Sequence, residues 1–352
     1  MSLVKINVMA SEPARHFTDL PVELLGLIVA DLSGSSLSSF SLVNKKCRAV
    51  SVSYLFHMIT VNFSERGLYC LEMISESPLA SHVKMLHYSA SELVDPLIQH
   101  WDYFTACIYT PQEYARDHKD FRWGLRGREF SYTAIHSYFS WLAKAQHTLL
   151  HGRNDIRIFC KSLSRLCGLK AVKLSFDALK EDQFLWFANR IYVDWKDSFP
   201  IHLETVLRSM VTARGQGILI EAMEIEGFYA KLVATDVNLM GTAADALTHV
   251  KALKLVDSFS LLDFMSDVAM PSLRRLDLAN CWLVGPDLAR FMECHASVLR
   301  QLHLRNICLP HEKLREACSC SKCAQALMDV LSGIQNTSIF DELTIIRDLE
   351  NE

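Results

Sequence analysis

The chain has 352 residues, of which 50% are hydrophobic and 22% are charged, and its formal net charge is −4. This composition supports a packed core, excludes a largely disordered chain, and gives no basic excess that would favour nucleic acid as a partner. The sequence holds no apolar run of about 18 residues, so we expect no membrane span.

The 11 cysteines are odd in number and irregularly spaced. Because Lys5 and Asn7 interrupt the short apolar run near the N-terminus, we expect no secretory signal peptide. The simplest interpretation is a set of reduced thiols in a cytoplasmic or nuclear protein, without a disulfide framework. We also expect no cofactor.

Residues 1–16 are predicted to be a flexible leader, and residues 17–60 to be a compact module of three helices. Pro21 is tolerated in the first turn of a helix, and Glu23 suits the positive end of the helix dipole. The serines of segment 33–36 break the apolar pattern and offer caps for a second helix. The apolar residues of this module could also form an ordinary helical core.

Residues 61–352 are predicted to form one larger domain, in which short segments of the form L-x-x-L-x-L recur. The best match to this pattern is at residues 273–283, and residues 299–309 repeat it; residues 169–174 and 250–255 follow the same pattern. Weaker candidates are at residues 83–86, 222–225 and 343–345, and residues 261–269 and 285–295 are expected to be helices.

Alternating leucines place one face of a strand in the core, so Lys254, Asp277 and His303 should share the outer face of a sheet. A strand, a turn and a returning helix are typical of a leucine-rich repeat. We therefore predict an irregular α/β solenoid of parallel short strands backed by helices. Unrelated buried strands of another α/β domain are the alternative.

An aromatic-rich helical insertion is predicted at about residues 96–165. Ser131 or Thr133 is expected to cap a helix that ends near Leu150. The stretch from Arg116 to Arg128 is predicted to be a loop, since it contains two glycines.

Two segments of the predicted helical module resemble an F-box. They are FTDLPVELLGLI at residues 17–28 and LSSFSLVNKKCRAV at residues 37–50. Further on, YTPQEY at residues 109–114 and LSRLCGLKAV at residues 163–172 are similar to segments that join the F-box to the repeats in fungal F-box proteins.

The resemblance implies a three-helix F-box that docks on the Skp adaptor and, through it, on a cullin. The protein would then be a non-catalytic subunit of an SCF ubiquitin ligase complex, acting in protein ubiquitination. The expected Skp-binding residues are Leu20, Pro21, Glu23, Leu24, Ile28, Leu37, Leu42, Val43 and Cys47.

The repeat domain would then bind an unidentified protein substrate on its exposed strand face. The candidate target-binding residues are Arg275, Asp277, Asn280, Trp282, His303, Arg305 and Asn306. Among them, an exposed tryptophan with polar neighbours would be a candidate hot spot.

Two alternatives remain open at this stage. The first is a scaffold that binds the Skp adaptor without a role in ubiquitination. The second is a zinc or thiol protein that uses Cys318, Cys320 and Cys323, with His311 or Cys308 as a fourth ligand. Because structural zinc needs four converging ligands, this spacing matches a zinc site only weakly, and the metal-free interpretation is preferred.

Overall fold

The computed structural model describes residues 20–91, 93–121, 131–177, 195–228, 237–259, 261–309 and 341–346. The chain divides into two compact units between Met58 and Ile59. The predicted boundary, after residue 60, lies two residues further on.

The described part of the first unit forms three helices, α1 (Val22–Ala30), α2 (Gly34–Ser41) and α3 (Lys45–Leu55). Ser33 caps α2 by accepting from the amide of Ser36, which agrees with the predicted capping by this serine cluster. Helices α1 and α2 both pack against α3. The buried apolar side chains of this unit are Leu25, Val29, Leu37 and Cys47.

The second unit is built on a sheet that, in the described residues, has eight strands in the order β1 to β8. The pairs from β2 to β8 are all parallel. This result confirms an α/β architecture with short parallel strands. The strands are β1 (Met58–Asn62), β2 (Met85–Ser91), β3 (Ala171–Asp177), β4 (Ala222–Glu226), β5 (Ala252–Val256), β6 (Arg275–Ala279), β7 (Gln301–Arg305) and β8 (Glu342–Ile346).

The register keeps equivalent positions of successive strands in line. Leu253, Leu276 and Leu302 are paired across β5, β6 and β7, and all three are fully buried. Alternation along β5, β6 and β7 puts the second and fourth residues in the core and the first, third and fifth on the accessible face. The L-x-x-L-x-L pattern therefore located β2 to β8 correctly, whereas β1 was not predicted and begins within the last residues of the predicted helical module.

Helices pack beside the strands and close the core. They are α4 (Glu65–Ser75), α5 (Trp101–Tyr103), α6 (Pro111–Phe121), α7 (Tyr132–Leu150), α8 (Asn154–Leu163), α9 (Trp195–Gly215), α10 (Val237–Leu247), α11 (Leu261–Ser266) and α12 (Gly285–His295). Short 3-10 turns occur at Pro78–His82, Pro96–Gln99 and His151–Arg153, and a π-helical turn at Phe104–Ile108. Among the helices that the structure describes, none has both the length and the hydropathy to span a bilayer.

The segment between β2 and α8 has a small core of its own, formed by seven buried residues. They are Val94, Ile98, Phe104, Tyr109, Ile135, Phe139 and Ala143. Ser131 caps α7, as the sequence predicts. The loop predicted from Arg116 is wrong as far as Phe121, because α6 continues to that residue. Residues 122–130 of that predicted loop lie outside the described residues.

Two backbone features repeat at the ends of the strands. At the start of each strand from β3 onward, one backbone carbonyl of the preceding repeat accepts hydrogen bonds from two successive amides. The carbonyl of Lys251, for example, accepts from Arg274 N at 2.8 Å and from Arg275 N at 2.9 Å. At the end of β4 to β7, the next residue has a left-handed backbone. These residues are Gly227 (φ 72°), Asp257 (φ 46°), Asn280 (φ 52°) and Asn306 (φ 50°).

Candidate functional site

The first unit exposes a group of large apolar side chains, which we call the helical face. Its members are Leu24, Leu27, Ile28, Leu42 and Val43. Leu27 is 67% exposed and Leu42 is 73% exposed. Large apolar side chains clustered in so small a unit are typical of a protein-binding surface.

Two contacts bring the parts of the helical face together. The Lys46 ammonium donates to the carbonyl of Leu20 at 2.6 Å, so the start of α3 lies beside the start of α1. Leu42 and Val43 come directly before α3, at the same end of the unit. Farther along, the Tyr54 hydroxyl donates to the Gly26 carbonyl at 3.5 Å.

Most of the predicted Skp-binding residues are accessible in the first unit. The exposed ones are Pro21, Glu23, Leu24, Ile28, Leu42 and Val43, and Leu20 is half-buried. Leu37 and Cys47 are buried instead, with 6% and 0% exposure, because they pack where α2 and α3 meet. A partner docking on this conformation touches neither of them. Leu27 was missed, although it follows Leu24 at helical spacing.

The accessible face of the sheet carries a line of polar side chains at the third position of successive strands. We call this line the charge row: His87, Lys173, Glu224, Lys254, Asp277 and His303. The outward placement predicted for the last three members is confirmed by this register. The first three were not among the predicted outward residues, and His87 and Glu224 lie in strands whose segments were only weaker candidates for the repeat pattern.

Charges of opposite sign alternate along the charge row from Lys173 to Asp277. Glu224 lies 3.0 Å from Lys173 and 3.3 Å from Lys254. Lys173 also pairs with Glu226 at 2.5 Å. Burial lowers the pKa of Lys173, but its hydrogen bonds to Glu226 and Glu224 outweigh burial, so the pKa is raised overall. These pairs hold the side chains in fixed positions across three strands.

The network continues through the C-terminal repeats. Asp277 accepts from Arg275 Nε at 2.9 Å through both carboxylate oxygens, and it lies 3.1 Å from His303 Nδ1. His303 Nε2 is 3.5 Å from Glu342. Three of the predicted target-binding residues, Arg275, Asp277 and His303, are therefore brought together in one network.

The remaining predicted target-binding residues lie at the carboxyl ends of β6 and β7. Asn280 and Arg305 are exposed, whereas Trp282 and Asn306 are half-buried. Asn306 Nδ2 donates to Asn280 Oδ1 at 3.1 Å, so the two amides are linked. Both asparagines also adopt the left-handed backbone of their turns, which gives them a structural role beside any role in binding.

The predicted cysteine cluster is not described by the structure. Cys318, Cys320, Cys323 and His311 lie outside the described residues, and Cys308 is a buried free thiol. The residues that the structure does describe contain no group of three or more His, Cys, Asp or Glu side chains placed to hold a metal ion.

No protein-family model matches this chain, and no curated protein is similar to it.

Proposed function

We propose that this protein is the substrate-recognition adaptor of an SCF ubiquitin ligase. In this role the first unit docks on the Skp adaptor through the helical face, and the accessible face of the sheet binds a protein target. The chain itself performs no chemistry. It raises the effective concentration of the target beside the ubiquitin carrier that the cullin holds.

The observation that carries this proposal is the exposure of the helical face in a unit whose sequence resembles an F-box. In α1, the side chains of Leu24, Leu27 and Ile28 are exposed at helical spacing. Leu42 and Val43, between α2 and α3, lie near the start of α1. Apolar anchors of this kind bury against a partner helix and supply most of the binding energy of such an interface.

The sheet face supports the second half of the proposal. Its side chains are polar, half-buried and already held by ion pairs, so little side-chain entropy is lost when a partner binds. A flat surface of paired charges with a half-buried tryptophan at its edge fits a protein target better than a small-molecule substrate.

Co-purification with the Skp adaptor tests the docking half. The full-length chain is compared with Leu24→Asp and with Leu42→Asp, and both substitutions should abolish co-purification. Tyr69→Asp in α4 is the matched control, because Tyr69 is also an exposed apolar residue, at 62%, but belongs to the second unit. A native chain that folds and yet does not bind the Skp adaptor refutes the proposal.

The second candidate is a scaffold that binds the Skp adaptor without delivering a target. The paired charges of the sheet face favour a binding role, but they do not distinguish a degraded target from a stable partner. Proteins bound to the sheet face are identified first, and their half-lives are then compared in cells with the native chain and with Leu24→Asp. Unchanged half-lives favour the scaffold.

A further inference from the structure

The residues just before strands β5, β6 and β7 are all basic. Lys251, Arg274 and Arg300 occupy equivalent positions, and we call them the basic edge. Arg300 N and Gln301 N both donate to the Arg274 carbonyl, at 2.8 and 2.9 Å, which repeats the arrangement at Lys251. This bonding fixes the three residues in line at the spacing of neighbouring strands, about 4.8 Å.

The basic edge contrasts with the charge row only three residues further along the same strands. There, Lys254 pairs with Glu224, and Asp277 lies between Lys254 and His303 in the register. Along the basic edge, three like charges are neighbours. Like charges on adjacent strands repel and destabilise a sheet, so this arrangement costs stability that the charge row avoids.

Little within the described residues neutralises the basic edge. Lys251 pairs with Glu221 at 3.0 Å, and its side chain is still 55% exposed. Arg274 is exposed and pairs with no carboxylate of the described residues. Arg300 donates to the carbonyls of Leu299 and Ser297 at 2.8 and 2.9 Å. These bonds hold its guanidinium in place without neutralising it, and leave it further donors.

We propose that the basic edge binds a short anionic segment of a partner protein, through two or three carboxylate or phosphate groups. Guanidinium groups recognise both kinds of anion with paired hydrogen bonds. The basic edge spans two strand spacings, about 10 Å. The equivalent positions before the neighbouring strands β4 and β8 are acidic, Glu221 and Asp341. A nucleic acid gains its affinity from many phosphate contacts, so three cations between two acids fit a peptide better.

The partner that binds the basic edge need not be a target of ubiquitination. The proposal for the basic edge and the proposed adaptor function can therefore be disproved independently. Binding is measured on the full-length protein by fluorescence anisotropy with three labelled peptides. The first is rich in Glu and Asp, the second carries two phosphoserines, and the third is the first peptide with glutamine at every acidic position. The anionic peptides should bind, the glutamine peptide should not, and added salt should weaken binding. The anionic peptide with the higher affinity shows whether carboxylate or phosphate is the preferred anion.

The variant Lys251→Gln/Arg274→Gln should bind the anionic peptides at least about tenfold more weakly, since it removes two charge-assisted contacts. The control variant is Arg48→Gln/Lys144→Gln. It makes the same change in net charge at two exposed cations that form no ion pair among the described residues. Equal melting temperatures of both variants confirm that they are folded.

Three results overturn the proposal. One is the absence of saturable binding of either anionic peptide to the native protein. Another is an equal loss of affinity in the two variants, which would indicate general attraction between charges. The third is that a single-stranded oligonucleotide binds more tightly than either peptide, and that its affinity falls only in Lys251→Gln/Arg274→Gln.

Discussion

The buried side chains of Tyr88 and His202 share a hydrogen bond of 2.8 Å between the phenol oxygen and Nδ1. On the other side of the ring, Nε2 lies 3.1 Å from the carbonyl of Ser91. A carbonyl can only accept, so Nε2 carries the proton and Nδ1 accepts from the tyrosine. The imidazole is thus held neutral between β2 and α9.

Stability should depend on pH through His202. Burial lowers the pKa of its imidazole from 6.5 to about 4, even though the bond to the Ser91 carbonyl raises it. The unfolded chain takes up a proton below pH 6.5, and the folded chain resists it until about pH 4. The free energy of unfolding should therefore fall by roughly 3 kcal/mol as pH falls through this window.

The variant His202→Gln isolates this contribution from that of the carboxylates. Urea unfolding of both proteins is measured at pH 7 and at pH 4.5. The variant should be less stable at pH 7 and should lose less stability than the native chain on acidification. Equal losses in the two proteins would show that His202 is not the group responsible.

Gly67 should not tolerate even a methyl group. A Cβ at this position would lie 2.1 Å from the backbone oxygen of Asn62, which cannot move without disturbing the turn from β1 into α4. Gly67→Ala is expected to destabilise the protein by about 1–3 kcal/mol. In α10, Gly241 has open space around it, and Gly241→Ala should instead stabilise by up to about 1 kcal/mol. Thermal unfolding checks both, and shifts of the same sign would contradict the prediction.

Asn280 is expected to act through its backbone as well as its side chain. Its φ of 52° is unfavourable for a residue with a Cβ, by about 1–2 kcal/mol, and asparagine and glycine tolerate it best. Asn280→Ala and Asn280→Gly both remove the amide bond to Asn306, but only alanine adds backbone strain. Chemical denaturation should show the alanine variant to be less stable than the glycine variant by roughly 1 kcal/mol. Equal stabilities would assign the whole effect to the lost amide bond.

Glu224 is expected to stabilise the charge row. It lies between Lys173 and Lys254 and is only 17% exposed. Glu224→Gln leaves the two lysines without their shared anion, so we expect a loss of roughly 1 kcal/mol that becomes smaller in high salt. Glu293→Gln is the control, because Glu293 is exposed and forms no ion pair among the described residues. Similar losses in the two variants, measured at low and high ionic strength, would rule out a role for the row.

Much of the fold could be predicted from the spacing of leucines. The two strong repeats became β6 and β7, two further segments with the same pattern became β3 and β5, and the weaker candidates became β2, β4 and β8. Alternation of apolar and polar residues predicts these strands because the helices cover only one face of the sheet, so that every second side chain is buried. The outer placement of Lys254, Asp277 and His303 followed from the same alternation.

Other features depend on contacts between distant residues and could not be predicted. Tyr88 and His202 are 114 positions apart, and no local pattern connects them. The ion pair of Lys173 and Glu224 depends on a register that is set only when β3 and β4 meet. The burial of Leu37 and Cys47 depends on how α2 packs on α3, whereas a family resemblance gives only their place in a pattern.

The doubled amide bonds at the strand starts have a consequence for how such a surface can evolve. Each new strand is aligned by one carbonyl of the previous repeat, whatever the length of chain between them. The connection from β2 to β3 contains a whole helical insertion, and the one from β6 to β7 contains a single helix, yet both strands take the same register. The strand register therefore fixes the backbone position of each residue on the accessible face. A mutation can change one recognition residue at a time while its neighbours keep their positions.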